Sequence, residues 1–291
     1  MIEINTIKEM KQWVLSRKKE GQTVGFVPTM GFLHEGHLSL VKKAKSESDV
    51  VIMSVFVNPL QFGEGEDFEE YPRNKHRDED LAKDHGVDVL FYPDAKEMYP
   101  GPMSVSMKVH HGVDVLCGAS RPGHFDGVAT VVMKLFQITD PDKAFFGMKD
   151  AQQVAVIQNM VRDFHLDVDV VPVDIVREED GLAKSSRNVN LSESERKEAH
   201  HLSKTLNQAK VEVVEGRIST SKALEAWTRK ELAQRITGKL DYVQVLRFPD
   251  LMELTDLQGK IILAVAVFYD RARIIDNITW EIGKGEFNHV S

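Results

Sequence analysis

Two histidines, His34 and His37, stand three positions apart in the segment TMGFLHEGH (residues 29–37). A short β-type run at residues 23–27 leads into it, and apolar Leu38, Leu40, Val41 and Ala44 continue it at helical spacing. At a helix start, positions three apart share a face. Unpaired N–H groups and the positive end of the helix dipole gather at the same place. Two imidazoles there can hydrogen-bond an oxyanion that gains charge in a transition state, and Gly36 lets a phosphate come close to the backbone. Zinc binding by His-Glu-x-x-His is not available, because the second histidine comes one position early. The bland alternative, two ordinary surface histidines, is disfavoured by their position after a strand, where a parallel sheet binds its ligand.

Four further segments carry groups suited to the same chemistry. Asn58 and Gln61 in VNPLQFG (residues 57–63) are neutral donor–acceptors fit for hydroxyl and carboxylate groups, or simply parts of a polar turn. In FGMKDAQQ (residues 146–153), Lys149 supplies a point charge for phosphate. Asp150 can accept from ribose hydroxyls or cap the helix that follows, and Gln153 lies one turn along. Lys184, Ser185, Ser186 and Arg187 place two hydroxyls between two cations, a small phosphate clamp or a solvated turn. Arg121, in RPGHFDG (residues 121–127), can pair a carboxylate or phosphate bidentately. A structural ion pair is the slightly favoured reading of Arg121 from this stretch alone.

The elements around these segments alternate strand and helix. Strand-like runs fall at residues 50–57, 87–92, 143–146 and 168–173, and helical patterns at 78–85, 127–138 and 151–164. Gly86 is placed as a helix stop, and Val128, Val131, Val132, Leu135 and Phe136 as an inward face. Such alternation predicts an α/β fold: a doubly wound parallel, Rossmann-like sheet with its ligand at the carboxyl ends of the strands. After about residue 176 the rhythm changes. Two helices are expected at 192–214, with Ser192 and Glu195 as a capping box, and at 219–235. Three strands follow at 242–246, 261–269 and 273–278, which suggests a smaller α+β domain. The expected domains are therefore 1–176 and 177–291, with a hinge near 177–181.

At 291 residues the chain has room for about two domains. Its net charge of −8 argues against a nucleic-acid partner. The longest clean apolar run, residues 261–269, is about half a membrane span, and no signal peptide is read at the N-terminus. The single cysteine, Cys117, excludes an intrachain disulfide and a cysteine zinc cluster, fits a reducing cytoplasm, and is expected to be a buried packing residue among apolar neighbours. Neither a Gly-x-x-x-x-Gly-Lys-Ser/Thr loop nor Gly-x-Gly-x-x-Gly nor Gly-x-Ser-x-Gly is present.

Five segments in order, VPTMGFLHEGH, FVNPLQFG, RPGHFDGV, FGMKDAQQ and SSRN, together resemble the pantoate–β-alanine ligase family over nearly the whole chain. The first is similar to the His-x-Gly-His signature of a nucleotidyltransferase class, and the last to the Lys-Met-Ser-Lys-Ser loop of that class. The resemblance implies a homodimeric cytoplasmic enzyme with ATP, pantoate and β-alanine as substrates and Mg2+ accompanying ATP. It implies attack of pantoate on the α-phosphorus of ATP, then capture of the pantoyl adenylate by β-alanine. By the same resemblance Met30, Gly31, Phe32, Leu33, His34, Glu35, Gly36 and His37 contact ATP. His37 is the catalytic histidine, assigned as proton donor, and His34 and Lys149 act with it. Gln61 and Gln153 hold pantoate, with Gln61 also near β-alanine. Gly147, Met148, Lys149 and Asp150 meet ribose and phosphates, and Val176 meets adenine through its backbone. Lys184, Ser185, Ser186 and Arg187 form a mobile phosphate loop. Asn58 and Arg121 are further substrate contacts, and Asp78 a metal contact. Because an acyl adenylate hydrolyses in water, this loop and the C-terminal domain are expected to close over it. One departure is Lys184, where many relatives carry Met or Leu; the extra cation either strengthens the clamp or faces water. The alternatives are another His-x-Gly-His nucleotidyltransferase with a different small substrate, and a nucleotide-binding regulator without turnover.

Overall fold

The computed structural model describes residues 1–63, 65, 66 and 68–283. In chain order the elements are β1 (Ile2–Ile4), α1 (Ile7–Lys19), β2 (Val24–Thr29), α2 (Glu35–Glu47), β3 (Val50–Val55), α3 (Lys75–Asp84), β4 (Val89–Phe91), α4 (Ala95–Met98), α5 (Leu116–Ser120), α6 (His124–Thr139), β5 (Lys143–Gly147), α7 (Ala151–Asp163), β6 (Asp169–Val173), α8 (Glu193–Ala199), α9 (His201–Val214), α10 (Ser221–Ala233), β7 (Lys239–Arg247), β8 (Gly259–Phe268) and β9 (Arg273–Ile282). They form two compact units, one of Met1–His110 with Arg121–Ile175, the other of His111–Ser120 with Val176–Ser291. The second unit thus takes α5 from the middle of the chain, where a single cut after residue 176 would leave it in the first. Of the expected second domain, residues 284–291 lie outside the described residues.

The first unit is a six-stranded sheet in the order β1-β4-β3-β2-β5-β6, every pairing parallel. All six residues of β3, Val-Val-Ile-Met-Ser-Val, are buried, as a β-branched run covered on both faces must be. The expected inward face of α6 is buried too, with Val128, Val131, Val132, Leu135 and Phe136 between 1% and 6% exposed. Each such side chain contributes roughly 1.5–3 kcal/mol. Gly86 adopts φ +78° directly after the last turn of α3, so its stop reading holds.

The winding reverses between β2 and β5, because β3 and β4 lie to one side of β2 while β5 and β6 lie to the other. Pairing between β2 and β3 runs the full length from Val24↔Val50 to Thr29↔Val55. Pairing between β2 and β5 stops after Gly25↔Lys143 and Phe26↔Ala144. Past that point the two strands part toward their carboxyl ends, which is the crevice where doubly wound sheets bind ligands. The TMGFLHEGH segment leaves β2 and the FGMKDAQQ segment leaves β5, so the two flank it.

The second unit carries an antiparallel sheet in the order β7-β8-β9. Its core gathers Leu202, Leu206, Leu224, Leu232, Ile261 and Val265. Ser192 and Glu195 form the expected capping box of α8. The expected helix at 192–214 is divided at His200, which keeps helical angles (φ −64°, ψ −17°), so the division is a loss of hydrogen-bond register rather than a turn. Among the described residues no helix is long and apolar enough to cross a membrane.

Candidate active site

The loop from β2 to α2 is held by groups distant in sequence. Gly31 turns the chain with φ +83°, where a Cβ would come within 2.9 Å of Asp78 Oδ2 and Val55 Cγ1. Phe32 follows at φ +50°, a conformation non-glycine residues rarely hold. The Asp78 carboxylate stabilises it by accepting from Phe32 N–H (2.8 Å) and Leu33 N–H (2.7 Å). Thr29 Oγ1 accepts from Gly31 N–H and donates to the Ser54 carbonyl. Asp78 is 1% exposed, and burial pushes its carboxyl up despite the two donors. Among the described residues no group of three His, Cys, Asp or Glu is placed to hold a metal. The geometry makes Asp78 the brace of the histidine loop.

The two histidines cap α2 reciprocally. Gly36 N–H donates to His34 Nδ1 (3.1 Å), and His34 N–H donates to His37 Nδ1 (3.3 Å). The rings lie 4.0 Å apart between centroids. Each Nδ1 is therefore an acceptor, so in the neutral ring the proton sits on Nε2. Burial, with the nearby His34 and Lys149 charges, holds the His37 imidazole well below its ordinary pKa of 6.5. His37 is thus a neutral ring offering an Nε2–H donor.

Gln61 ends a short 3₁₀ turn, Pro59–Gln61, after β3. Its Nε2 donates to Met30 Sδ (3.0 Å), which ties this turn to the histidine loop. Asn58 is held on every side by the protein. It is 1% exposed, and its amide donates to Gln61 Oε1 (3.3 Å) and the Gly127 carbonyl (3.1 Å), while its oxygen accepts from Tyr99 Oη (2.7 Å) and Leu60 N–H (3.3 Å). Both side-chain polar atoms of Asn58 thus have protein partners, which gives it a structural role. Arg121 likewise follows the ion-pair alternative: its Nε and Nη2 hold Glu66 at 2.7 and 2.5 Å.

Lys149 and Asp150 lie in a 3₁₀ turn between β5 and α7, with Lys149 Nζ 3.5 Å from Asp150 Oδ2. Asp150 makes no side-chain cap hydrogen bond, so the capping alternative drops out. Gln153 stands in the first turn of α7 with Gln152, which is buried, and Ala151.

In the second unit, Val176 accepts Lys184 N–H at its carbonyl (2.9 Å), and Arg177 bonds both oxygens of buried Asp276 at 2.7 and 3.0 Å. Lys184 is half-buried, and its Nζ pairs with Glu178 at 2.9 Å. Ser185 accepts Arg187 N–H, which starts a 3₁₀ turn at Ser186. Cys117 is half-buried rather than buried, with Sγ 3.3 Å from Tyr242 Oη and 3.4 Å from Arg273 Nη1.

His124, a residue that the sequence patterns did not single out, has a pKa pushed down to about 4 by burial and by Arg121. With His37 it is expected to make the protein acid-labile. Both rings are neutral when folded, and the unfolded chain takes up protons first as the pH falls through 6.5. The contribution of His124 is complete above about pH 6.5 and is lost on the way to about pH 4, and that of His37 is lost in the same direction. For His124 the full loss is about 3 kcal/mol. Urea unfolding between pH 8 and pH 4.5 is expected to show a midpoint that falls steadily below pH 6.5; a flat midpoint would contradict neutral burial.

Comparison with known proteins agrees with this geometry. The family model described as pantoate-beta-alanine ligase matches residues 3–279. The pantothenate synthetase of Halalkalibacterium halodurans is 55% identical over 284 residues, 98% of this chain and 100% of that protein. That of a Geobacillus species is 55% identical over 97% of this chain and 100% of its own length. Among solved structures, pantothenate synthetase from Thermus thermophilus superposes with a TM-score of 0.89 at 42% identity, covering 96% of this chain and 99% of the other. Pantoate-beta-alanine ligase from Francisella tularensis, complexed with beta-gamma ATP and beta-alanine, gives 0.78 at 37% identity, covering 96% and 97%.

Proposed function

The chain belongs to the pantoate–β-alanine ligase family, and from that premise we propose that it makes pantothenate through a pantoyl adenylate. A pantoate carboxylate oxygen attacks the α-phosphorus of ATP, and the bond to the β-phosphate oxygen breaks with release of pyrophosphate. The unprotonated amine of β-alanine then attacks the acyl carbon, AMP leaves with the carbonyl–oxygen bond pair, and the nitrogen sheds one proton to solvent. No side-chain nucleophile is needed, since the substrate supplies it.

The observation that carries this reading is the pair of histidines at the start of α2 whose Nδ1 atoms are both taken up by backbone N–H groups. Adenylation puts extra negative charge on phosphate oxygens, and preorganised donors stabilise such charge strongly. His37 serves as a neutral donor, His34 as a second donor beside it, and Lys149 as a positive charge. His37 acts in this account as a hydrogen-bond donor that keeps its proton. Met30, Gly31, Phe32, Leu33, Glu35 and Gly36 line the nucleotide through the same loop. Gly147, Met148 and Asp150 take ribose and phosphate, and Val176, Lys184, Ser185, Ser186 and Arg187 take adenine and phosphate. Gln61 and Gln153 hold pantoate by its hydroxyl and carboxylate groups. Mg2+ would arrive on the triphosphate oxygens, hard ligands that suit it. The lid role of residues 177–291, the homodimer and the cytoplasmic location belong to the same proposal.

Pyrophosphate release tests it. The protein with ATP and Mg2+ is expected to release pyrophosphate only with pantoate, and AMP with pantothenate when β-alanine joins. Release driven by another small acceptor and not by pantoate would favour a different nucleotidyltransferase of the class.

A further inference from the structure

Gln61 is held from two sides, and only one of them is its side chain. On the side-chain face, Asn58 Oδ1 accepts from Tyr99 and Leu60, which leaves Asn58 Nδ2 to donate to Gln61 Oε1. The Gln61 amide is thereby oriented with its Nε2–H toward Met30. On the main-chain face, the Gln61 carbonyl meets His124 Nδ1 at 2.7 Å and Arg121 Nη2 at 3.3 Å. A carbonyl only accepts and a guanidinium only donates. So His124 Nδ1 carries the proton, and its Nε2 accepts from Arg121 Nη1 at 3.1 Å. Glu66 holds the other edge of Arg121. Close packing leaves the turn no slack, since a Cβ on Gly127 would fall 2.1 Å from the Leu60 carbonyl oxygen.

We propose that His124 is a positioning residue for substrate: its neutral Nδ1–H, fixed by Arg121 and Glu66, holds the Gln61 main chain so that the Gln61 amide faces pantoate. His124 acts through Gln61 and does not touch the reacting atoms. The inference rests on the reading of Gln61 as a pantoate contact. Burial supports it, because the ring is held neutral at working pH by its surroundings and by the Arg121 charge, against the opposing pull of Glu66 and Asp150.

Steady-state kinetics of His124→Asn, His124→Gln, His124→Leu and Gln61→Ala test it, with KM for pantoate and for ATP and kcat measured at pH 8. An asparagine amide reaches the place of Nδ1, and a glutamine amide reaches that of Nε2. His124→Leu and His124→Gln are expected to raise the KM for pantoate about tenfold, the worth of one lost hydrogen bond. In both, KM for ATP and kcat stay within a few fold, and His124→Asn recovers most of the loss. Should His124→Leu fail to fold, the contrast between Asn and Gln decides alone. Equal KM values for pantoate in the Asn and Gln variants would overturn the inference while leaving Gln61 its role, provided Gln61→Ala raises that KM. A wild-type KM in Gln61→Ala would instead remove Gln61 from pantoate binding and this inference with it.

Discussion

Replacing His37 with alanine is expected to lower the rate of adenylate formation by about 10²–10³-fold, with little change in pantoate affinity. The magnitude is that of removing one preorganised donor to a developing oxyanion, roughly 2.7–4 kcal/mol. The direction follows from geometry. Because His37 Nδ1 is spent on the His34 N–H, only Nε2–H is left to meet a phosphate oxygen. That bond strengthens as charge grows, so its loss falls on the transition state more than on the ground state. A glutamine at 37 places an amide near the Nε2 position and is expected to retain part of the rate. Quenched-flow measurement of adenylate separates these outcomes. Unchanged adenylation in His37→Ala would take His37 out of the reaction.

The second large effect is expected from Asp78→Ala, and it falls on stability and rate together. Removing the carboxylate leaves the Phe32 and Leu33 N–H groups buried without their acceptor. Each such group costs about 1–3 kcal/mol, so a loss of about 2–6 kcal/mol is expected in denaturant unfolding. Phe32 at φ +50° is kept there by this contact. Once released, the loop carries both histidines away from their places, and displacements near 1 Å cost about 10²-fold in rate. Asp78→Asn keeps one acceptor oxygen and is expected to fall between. Wild-type stability with a raised Mg2+ requirement would return Asp78 to the metal role that the family resemblance implies.

What could be read in the sequence depended on how local the cause was. The apolar spacing of α6 and the β-branched run of β3 are local, and both elements stand where their patterns place them. The histidine and lysine segments were legible because each leaves a strand and opens a helix. Helix α1 escaped, since its polar sequence buries only Met10 and Val14. Strand β1 is three residues long. The partners of polar groups were not legible at all. Asp78 meets a loop 46 positions earlier, Arg121 meets Glu66 across 55, and Cys117 meets Arg273 across 156. For Asn58, Arg121 and Asp78 the fold supplies protein partners that no local pattern announces. His124 sat unremarked inside a quoted motif, because its tautomer and burial come from groups that only the fold brings to it.

The central claim is a pantoyl adenylate formed at the histidine loop, and leaving out β-alanine tests it most directly. The protein is mixed with ATP, Mg2+ and pantoate, quenched, and analysed by mass spectrometry with a pyrophosphate assay. Pantoyl adenylate and pyrophosphate in equal amounts are expected, with the adenylate disappearing into pantothenate and AMP when β-alanine is added. Folded protein that binds ATP yet yields neither adenylate nor pyrophosphate would contradict the account.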